Sequence, residues 1–164
     1  MNKVIIADAS PLIAFGSIDK LSIIFKLFSK VVITQTVADE CVADMGRPGA
    51  IAIAKVIAAQ KIQIHASVAL KDCAEILAIL DQGEADAIAL AHTLNLPLVI
   101  DEKLGRSIAK ALGIKIIGTV GILLLAKQKG IIKHIKPNLQ ELKNGHYFLS
   151  DVLIKDVLRR AGER

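Results

Sequence analysis

Four carboxylates stand far apart in this chain, each where a strand or helix could deliver it to a common edge: Asp8, Glu40, Glu84 and Asp101. Asp8 follows the run Lys3-Val4-Ile5-Ile6-Ala7, and Asp101 follows Leu98-Val99-Ile100. Glu40 lies in Thr36-Val37-Ala38-Asp39-Glu40, and Glu84 in Asp81-Gln82-Gly83-Glu84-Ala85-Asp86. Short runs rich in Val and Ile are the mark of buried parallel strands. In an open α/β sheet the ligand crevice lies outside the carboxyl ends of those strands. Acids gathered there repel one another unless a cation sits among them, and hard divalent ions prefer oxygen ligands. The expectation is a Mg²⁺ or Mn²⁺ site, with phosphodiester hydrolysis as its chemistry.

The same residue types also have plain structural uses, because Asp and Glu favour helix amino ends. Asp81 and Asp19 read as helix caps, and Asp101 as either cap or ligand. Asp8 is harder to assign to capping, since Ser10 is available as the cap of the first helix. Glu40 falls several residues into its helix, where no cap is needed. Glu84 and Asp86 are two apart and cannot share a helix face, so at most one of them leads into the pocket.

Positioning these acids requires alternating strands and helices, and the sequence supplies them. Ser10-Pro11 opens a helix, and an amphipathic stretch runs through Leu21, Ile24, Phe25 and Phe28. Val31-Val32-Ile33 reads as the second strand, followed by the helix with Glu40, a loop at Gly46-Arg47-Pro48-Gly49, and a helix over 50–60. Ile62-Gln63-Ile64 reads as a third strand. Helices are expected from about 71 to 80 and from 84 to 94, then a strand at 98–100 and a helix over 103–112 closed by Gly113. Lys115-Ile116-Ile117 is the last strand. A helix over 120–129 ended by Gly130 and two short helices within 137–164 complete the chain. Five strands separated by helices predict a single domain over 1–164, with a central parallel sheet of about five strands and helices on both faces.

Composition narrows the possibilities. Hydrophobic residues make up 53% of the 164 but aromatics only 3%, so the core must be aliphatic. No apolar run approaches the ~18 residues of a membrane helix. Asp8, Ser10 and Pro11 interrupt any leader-like segment, so an intracellular, cytoplasmic protein is expected. Cys41 and Cys73 are too few for a disulfide framework and read as reduced thiols. Residues 1–102 hold 8 Lys/Arg against 12 Asp/Glu, whereas residues 103–164 hold 13 against 4. A basic half beside an acidic pocket suits a polyanionic substrate. Neither G-x-G-x-x-G nor G-x-x-x-x-G-K-[ST] occurs, which removes dinucleotide and P-loop chemistry. His65, His92, His134 and His146 lack zinc-ligand spacing. No nucleophile elbow surrounds Ser10.

Asp8-Ala9-Ser10-Pro11-Leu12-Ile13-Ala14 resembles the opening motif of PIN-domain proteins. Thr34-Gln35-Thr36-Val37 with Glu40 is similar to the family's second segment. Gly83-Glu84-Ala85-Asp86-Ala87-Ile88-Ala89-Leu90-Ala91 resembles its third, acidic helix, and Leu98-Val99-Ile100-Asp101-Glu102-Lys103 its fourth segment. Gly105-Arg106, Ala109, Leu112-Gly113-Ile114 and Gly118-Thr119-Val120-Gly121-Ile122-Leu123-Leu124-Leu125-Ala126-Lys127 extend the likeness to a prokaryotic subfamily akin to VapC-type toxins. Two positions depart from many VapC-type members: Glu84 stands where they carry Asp, and Val99 where they carry Thr.

The resemblance implies a three-layer PIN-like fold and a Mg²⁺- or Mn²⁺-dependent endoribonuclease. Asp8, Glu40, Glu84 and Asp101 would be its metal carboxylates, with Asp86 as the other candidate for the third position and Ser10 as a polar neighbour. Lys103, Arg106 and Lys110 are expected to grip the RNA backbone, and with so few aromatic rings base stacking is expected to contribute little. A homodimer and an antitoxin protein are further implied partners. The alternative is a catalytically weak PIN-fold module that binds nucleic acid or protein as a dimer. A phosphatase or receiver-like domain using Asp8 covalently would leave Glu40 without a task.

Overall fold

The structure is a computed structural model that describes residues 3–164. Its strands are β1 Val4–Ala7, β2 Lys30–Thr34, β3 Ile62–His65, β4 Leu98–Val99 and β5 Ile116–Ile117. They form one parallel sheet in the order β3-β2-β1-β4-β5. The helices are α1 Ala9–Ser17, α2 Leu21–Leu27, α3 Gln35–Val42, α4 Ala50–Ala58, α5 Ala74–Leu77, α6 Gln82–Leu94, α7 Lys103–Ala111, α8 Thr119–Gln128, α9 Lys136–Asn144 and α10 Asp151–Arg160. The three-layer α/β architecture expected from the alternation is present, with helices covering both faces.

Burial follows the sequence pattern. Ile5, Ile6 and Ala7 of β1 and Val31, Val32 and Ile33 of β2 are all buried, as strands covered on both faces require. At the edge, β3 leaves Gln63, Ile64 and His65 exposed. The core is aliphatic around Phe15. Local chemistry sets several element ends. Thr34 accepts from Val37 N at 3.2 Å to cap α3, and Ser150 accepts from Leu153 N at 3.1 Å to cap α10. Gly113 and Gly130 close α7 and α8 with φ of +79° and +75°.

Three expectations need correction. Ser10 does not cap α1, because the helix begins at Ala9 and the extended N-cap residue is Asp8. Asp19 caps nothing: it adopts a left-handed φ of 56° and Lys20 takes the N-cap position of α2. The helix expected near 71–80 divides into a 3-10 turn, Lys71–Cys73, and the short α5. Both thiols are free, as expected. Cys41 is fully buried, and its thiol is pushed up to about 12 by that burial and by the adjacent Glu40 and Asp8, so it is unreactive.

The site's position follows from the strand order. From β1 the sheet grows through β2 and β3 in one direction and through β4 and β5 in the other, so the order reverses between β1 and β4. Ala7 is in register with Val99, and the backbone N–H of Asp8 donates to Val99 O at 3.0 Å. The residues that follow β1 and β4 therefore emerge side by side at the carboxyl edge, where α/β sheets place their ligands. At the far end, Glu163 ties the C-terminus to the body by accepting from Lys127 Nζ at 2.8 Å and Ile135 N at 2.9 Å. Among the described residues, no helix is long and apolar enough to cross a membrane.

Candidate active site

Asp8 is 3% exposed, stands at the N-cap of α1, and makes no capping bond with its side chain. Its carboxylate is thus buried at a helix amino end without being used to hold that helix. Glu40 reaches the same region from α3, and Asp81 and Glu84 from the amino end of α6. Asp81 is the cap expected from the sequence, accepting from Glu84 N at 2.8 Å. A glycine lets α3 and α6 bring their acids together. A Cβ placed on Gly83 would lie 2.9 Å from Glu40 Oε2 and 3.6 Å from Asp81 Oδ1, so the missing side chain leaves a cradle between two carboxylates.

The electrostatics report the crowding. Burial, then the charges of Glu40, Asp81 and Asp101, push the Asp8 carboxyl up to about 7, against the N–H of Ala9. Burial and Asp81 also raise Glu40, opposed by Arg47. Glu84 is pushed up to about 7 by burial, Asp81, Asp8 and Glu102. Among the described residues, the ion pairs join Lys127 and His134 to Glu163, Lys143 to Asp151, and Arg159 and Arg160 to Asp156, so none neutralises these acids. Arg47 stands nearest in effect. Its Nη2 donates to the Glu40 carbonyl at 2.8 Å, which anchors a guanidinium on the rim.

Asp101 and Asp86 are placed differently. Asp101 accepts from Thr119 N at 2.8 Å, from Thr119 Oγ1 at 2.6 Å and from the Tyr147 hydroxyl. It caps a helix after all, but that helix is α8, reached across the sheet edge. Asp86 accepts from Thr36 Oγ1 at 2.6 Å, Gln82 Nε2 at 2.7 Å and Ser67 Oγ at 3.3 Å. Two residues of helix turn it away from Glu84, whose own carboxyl is raised by Asp81 and Asp8. Glu102 caps α7 through Leu104 N and Gly105 N. Ser10 sits in the first turn of α1 and is exposed. On α7, Lys103 and Lys110 are exposed, while Arg106 is half-buried and donates one Nη to Ile100 O at 2.8 Å.

In the sequence Asp81 reads only as a cap and Arg47 only as part of a loop. The D-x-G-E spacing was a readable signal for Asp81, since a cap three residues before Glu84 must face the same helix end. Nothing local marked Tyr147, which lies 46 residues from Asp101.

Among the described residues, no three Asp, Glu, His or Cys side chains already stand close enough to enclose a metal ion. The donor set nonetheless fits a hard divalent cation. All its side-chain donors are oxygens, they carry uncompensated like charge, and the space at Gly83 separates two of them. Gly83→Ala tests that space. Its new methyl meets the end of a flexible Glu40 side chain and the helix gains propensity, so stability should change by less than about 1 kcal/mol. Mn²⁺ affinity should fall about 10-fold or more as Glu40 is displaced. Calorimetric titration with Mn²⁺ checks this, and unchanged affinity would remove Glu40 from the metal set.

A family model described as a PIN domain matches residues 4–163 of the chain. Among solved structures, a PilT N-terminus domain protein from the archaeon Sulfolobus solfataricus P2 is 20% identical. That match has a TM-score of 0.42 over 73% of this chain and 89% of the other. A domain of a functionally unknown protein from Methanocaldococcus jannaschii DSM 2661 is 23% identical, with a TM-score of 0.48 over 71% of this chain and 90% of that one. No curated protein gives a match.

Proposed function

The chain belongs to the PIN-domain family, and from that premise we propose that it is a metal-dependent endoribonuclease. PIN domains are generally nucleases that bind divalent metals. The observation that carries the proposal here is the buried Asp8 carboxylate at the strand-order reversal, set against the charges of Glu40, Asp81 and Asp101 and without an ion-pair partner among the described residues.

Asp8, Glu40 and Glu84 would hold Mg²⁺ or Mn²⁺, with Asp101 completing the set. Such an ion lowers the pKa of water and offsets charge on phosphate oxygens. The chain's own residues set the geometry. The Asp8 backbone is fixed by its bond to Val99 O, and Thr119 and Tyr147 hold the Asp101 carboxylate in one orientation. Arg47 on one rim, and Lys103, Arg106 and Lys110 on α7, would grip the phosphates that flank the cut. Water adds to phosphorus, the bond to the 3′ oxygen breaks and that oxygen takes a proton, leaving a 5′-phosphate and a 3′-hydroxyl.

The test is cleavage of a labelled mixed-sequence RNA with Mn²⁺ by the wild type and by Glu40→Gln. Expected are 5′-phosphate ends from the wild type and a loss of about 100-fold in the variant. Equal background cleavage by both would sink the proposal. Removing two cations with Arg106→Ala/Lys110→Ala should weaken RNA binding and make its log–log salt slope shallower by about 1.4 units. Filter binding across a salt series reads this, and an unchanged slope would put the RNA path elsewhere.

A second reading is a binding module of low activity. The hydrogen bonds that Thr119 and Tyr147 give Asp101 favour it, since that carboxylate already has an employment in structure. Metal-induced stabilisation with RNA binding but no cleavage would select it. Homodimerisation and pairing with an antitoxin protein belong to the proposal in either form, and sedimentation of the purified chain tests the first.

A further inference from the structure

The chain has one Tyr, four Phe and no Trp. Phe15 and Phe28 are buried in the core, and Phe25 packs against it with Lys61 Nζ 5.9 Å from its ring centroid. The remaining two rings, Tyr147 and Phe148, are neighbours in the link between α9 and α10. Both line a cavity of about 490 Å³ bounded by β5, α8 and α10. Its inner wall is aliphatic, including Ile117, Val120, Leu124 and Val157, and Asp101 and Arg106 border it.

Phe148 is 88% exposed, and Val152 and Leu153 on the first turn of α10 are also exposed, at 79% and 41%. Single exposed apolar residues are ordinary, but a ring at the lip of an aliphatic slot offers a flat face and a place to put what lies on it. Arg160 is already paired with Asp156 at 3.0 Å, whereas Arg106 spends one Nη on Ile100 O and keeps other N–H donors. Asp101 joins the slot to the acid cluster, so an occupant of the slot is next to the proposed cleavage point. Flat apolar surface, a cation beside it and continuity with a phosphodiester site together match a nucleotide. A base stacked inside a duplex cannot enter such a slot, whereas an unpaired one can.

We propose that this cavity seats one unpaired nucleotide of the RNA beside the scissile phosphate, its base against Phe148 and the aliphatic wall and its phosphate on Arg106. The assignment rests on the ribonuclease reading and deepens it, because it gives the RNA a foothold on this chain's own link between α9 and α10, outside the cluster of Asp8, Glu40 and Glu84. It differs from the expectation that stacking contributes little: the rings are few, but Phe148 stands exposed at the mouth of a cavity that Tyr147 also lines.

The test measures fluorescence anisotropy of a labelled, hydrolysis-resistant 2′-O-methyl phosphorothioate octanucleotide. It is titrated with the wild type, Phe148→Ala and Leu153→Glu, the last of which places a carboxylate at the slot, where it repels a phosphate. Phe148→Ala alters an exposed side chain, so folding is preserved and verified by an unchanged melting point. Both variants should bind about 5- to 100-fold more weakly while keeping the wild-type response to Mn²⁺. The same oligonucleotide annealed to its complement should bind weakly and equally to all three. Unchanged single-strand affinity in both variants, with Mn²⁺-dependent cleavage intact, overturns the subsite and leaves the nuclease. No binding and no cleavage by the wild type overturns the nuclease reading and the subsite with it. A changed sedimentation coefficient with unchanged RNA affinity would assign this face to contact between copies of the chain, which also overturns the proposal.

Discussion

Asp8→Asn is expected to melt well above the wild type at pH 8 without metal, to gain little from Mn²⁺, and to lose about 100-fold or more of RNA cleavage. The reason lies in what the native carboxylate endures. Burial and three neighbouring acids raise Asp8 from its ordinary 3.8 to about 7. Between those values the folded chain holds a proton that the unfolded chain has released. Stability therefore falls as pH rises through that window, and is lowest above the folded pKa. At 1.36 kcal/mol per pH unit the full penalty is at most about 4 kcal/mol. Asn keeps the shape and removes the charge, so about half of that ceiling is a fair expectation, or roughly 4–8 °C in a domain of this size.

Wild-type protein should accordingly be more stable at pH 5 than at pH 8, and Asp8→Asn should flatten that difference. Glu84, raised in the same direction, leaves a residual slope. Mn²⁺ reverses the penalty in the wild type by binding the folded state alone. Thermal unfolding at the two pH values, with and without Mn²⁺, reads all of this. A variant that melts lower than the wild type at pH 8 and responds equally to Mn²⁺ would show that Asp8 is a structural group and no ligand.

Gly49→Ala should remove about 3–5 kcal/mol of stability, a large part of what a domain possesses. Gly49 has φ +88°, where any other L residue is strained. Its Cβ would lie 2.6 Å from Gly16 C and Ser17 N, and both are backbone atoms that no rotamer change can move. From the other side, a Cβ on Gly16 would meet Gly49 O at 3.2 Å. The end of α1 and the start of α4 are thus in backbone contact, and a single methyl must push them apart. Gly46→Ala in the same loop is the control, since its Cβ meets only the Asp44 side chain, at 3.2 Å. Urea unfolding compares the two. A loss below about 1 kcal/mol in Gly49→Ala would mean that the two helices slide apart freely.

Much of the architecture was legible because local signals and the global fold agree. Buried Val/Ile runs marked β1, β2 and β4, Thr34 and Asp81 marked helix starts, and Gly113 and Gly130 marked helix ends, each through a preference that acts within a few residues. The failures have physical causes as well. Ser10 was expected to cap α1 because its type suits the role. The backbone instead turned two residues earlier, at Asp8, whose N–H is held by Val99 on a strand 91 residues away in sequence. Asp19 lost its cap to a left-handed turn.

What this chain's residues determine alone is the supply: five strands in parallel, acids after β1 and β4 and on two helices, and a basic half beyond residue 102. Tertiary structure decided the allocation. Helix phase sent Glu84 toward Asp8 and Asp86 toward Thr36. The Gly83 contact brought Asp81 beside Glu40, and Thr119 and Tyr147 claimed Asp101. Phe148 and Tyr147 came to the mouth of one cavity. These outcomes depend on which side chains meet across 18 to 76 residues of chain. Such meetings are set by register and packing, and no local preference encodes them.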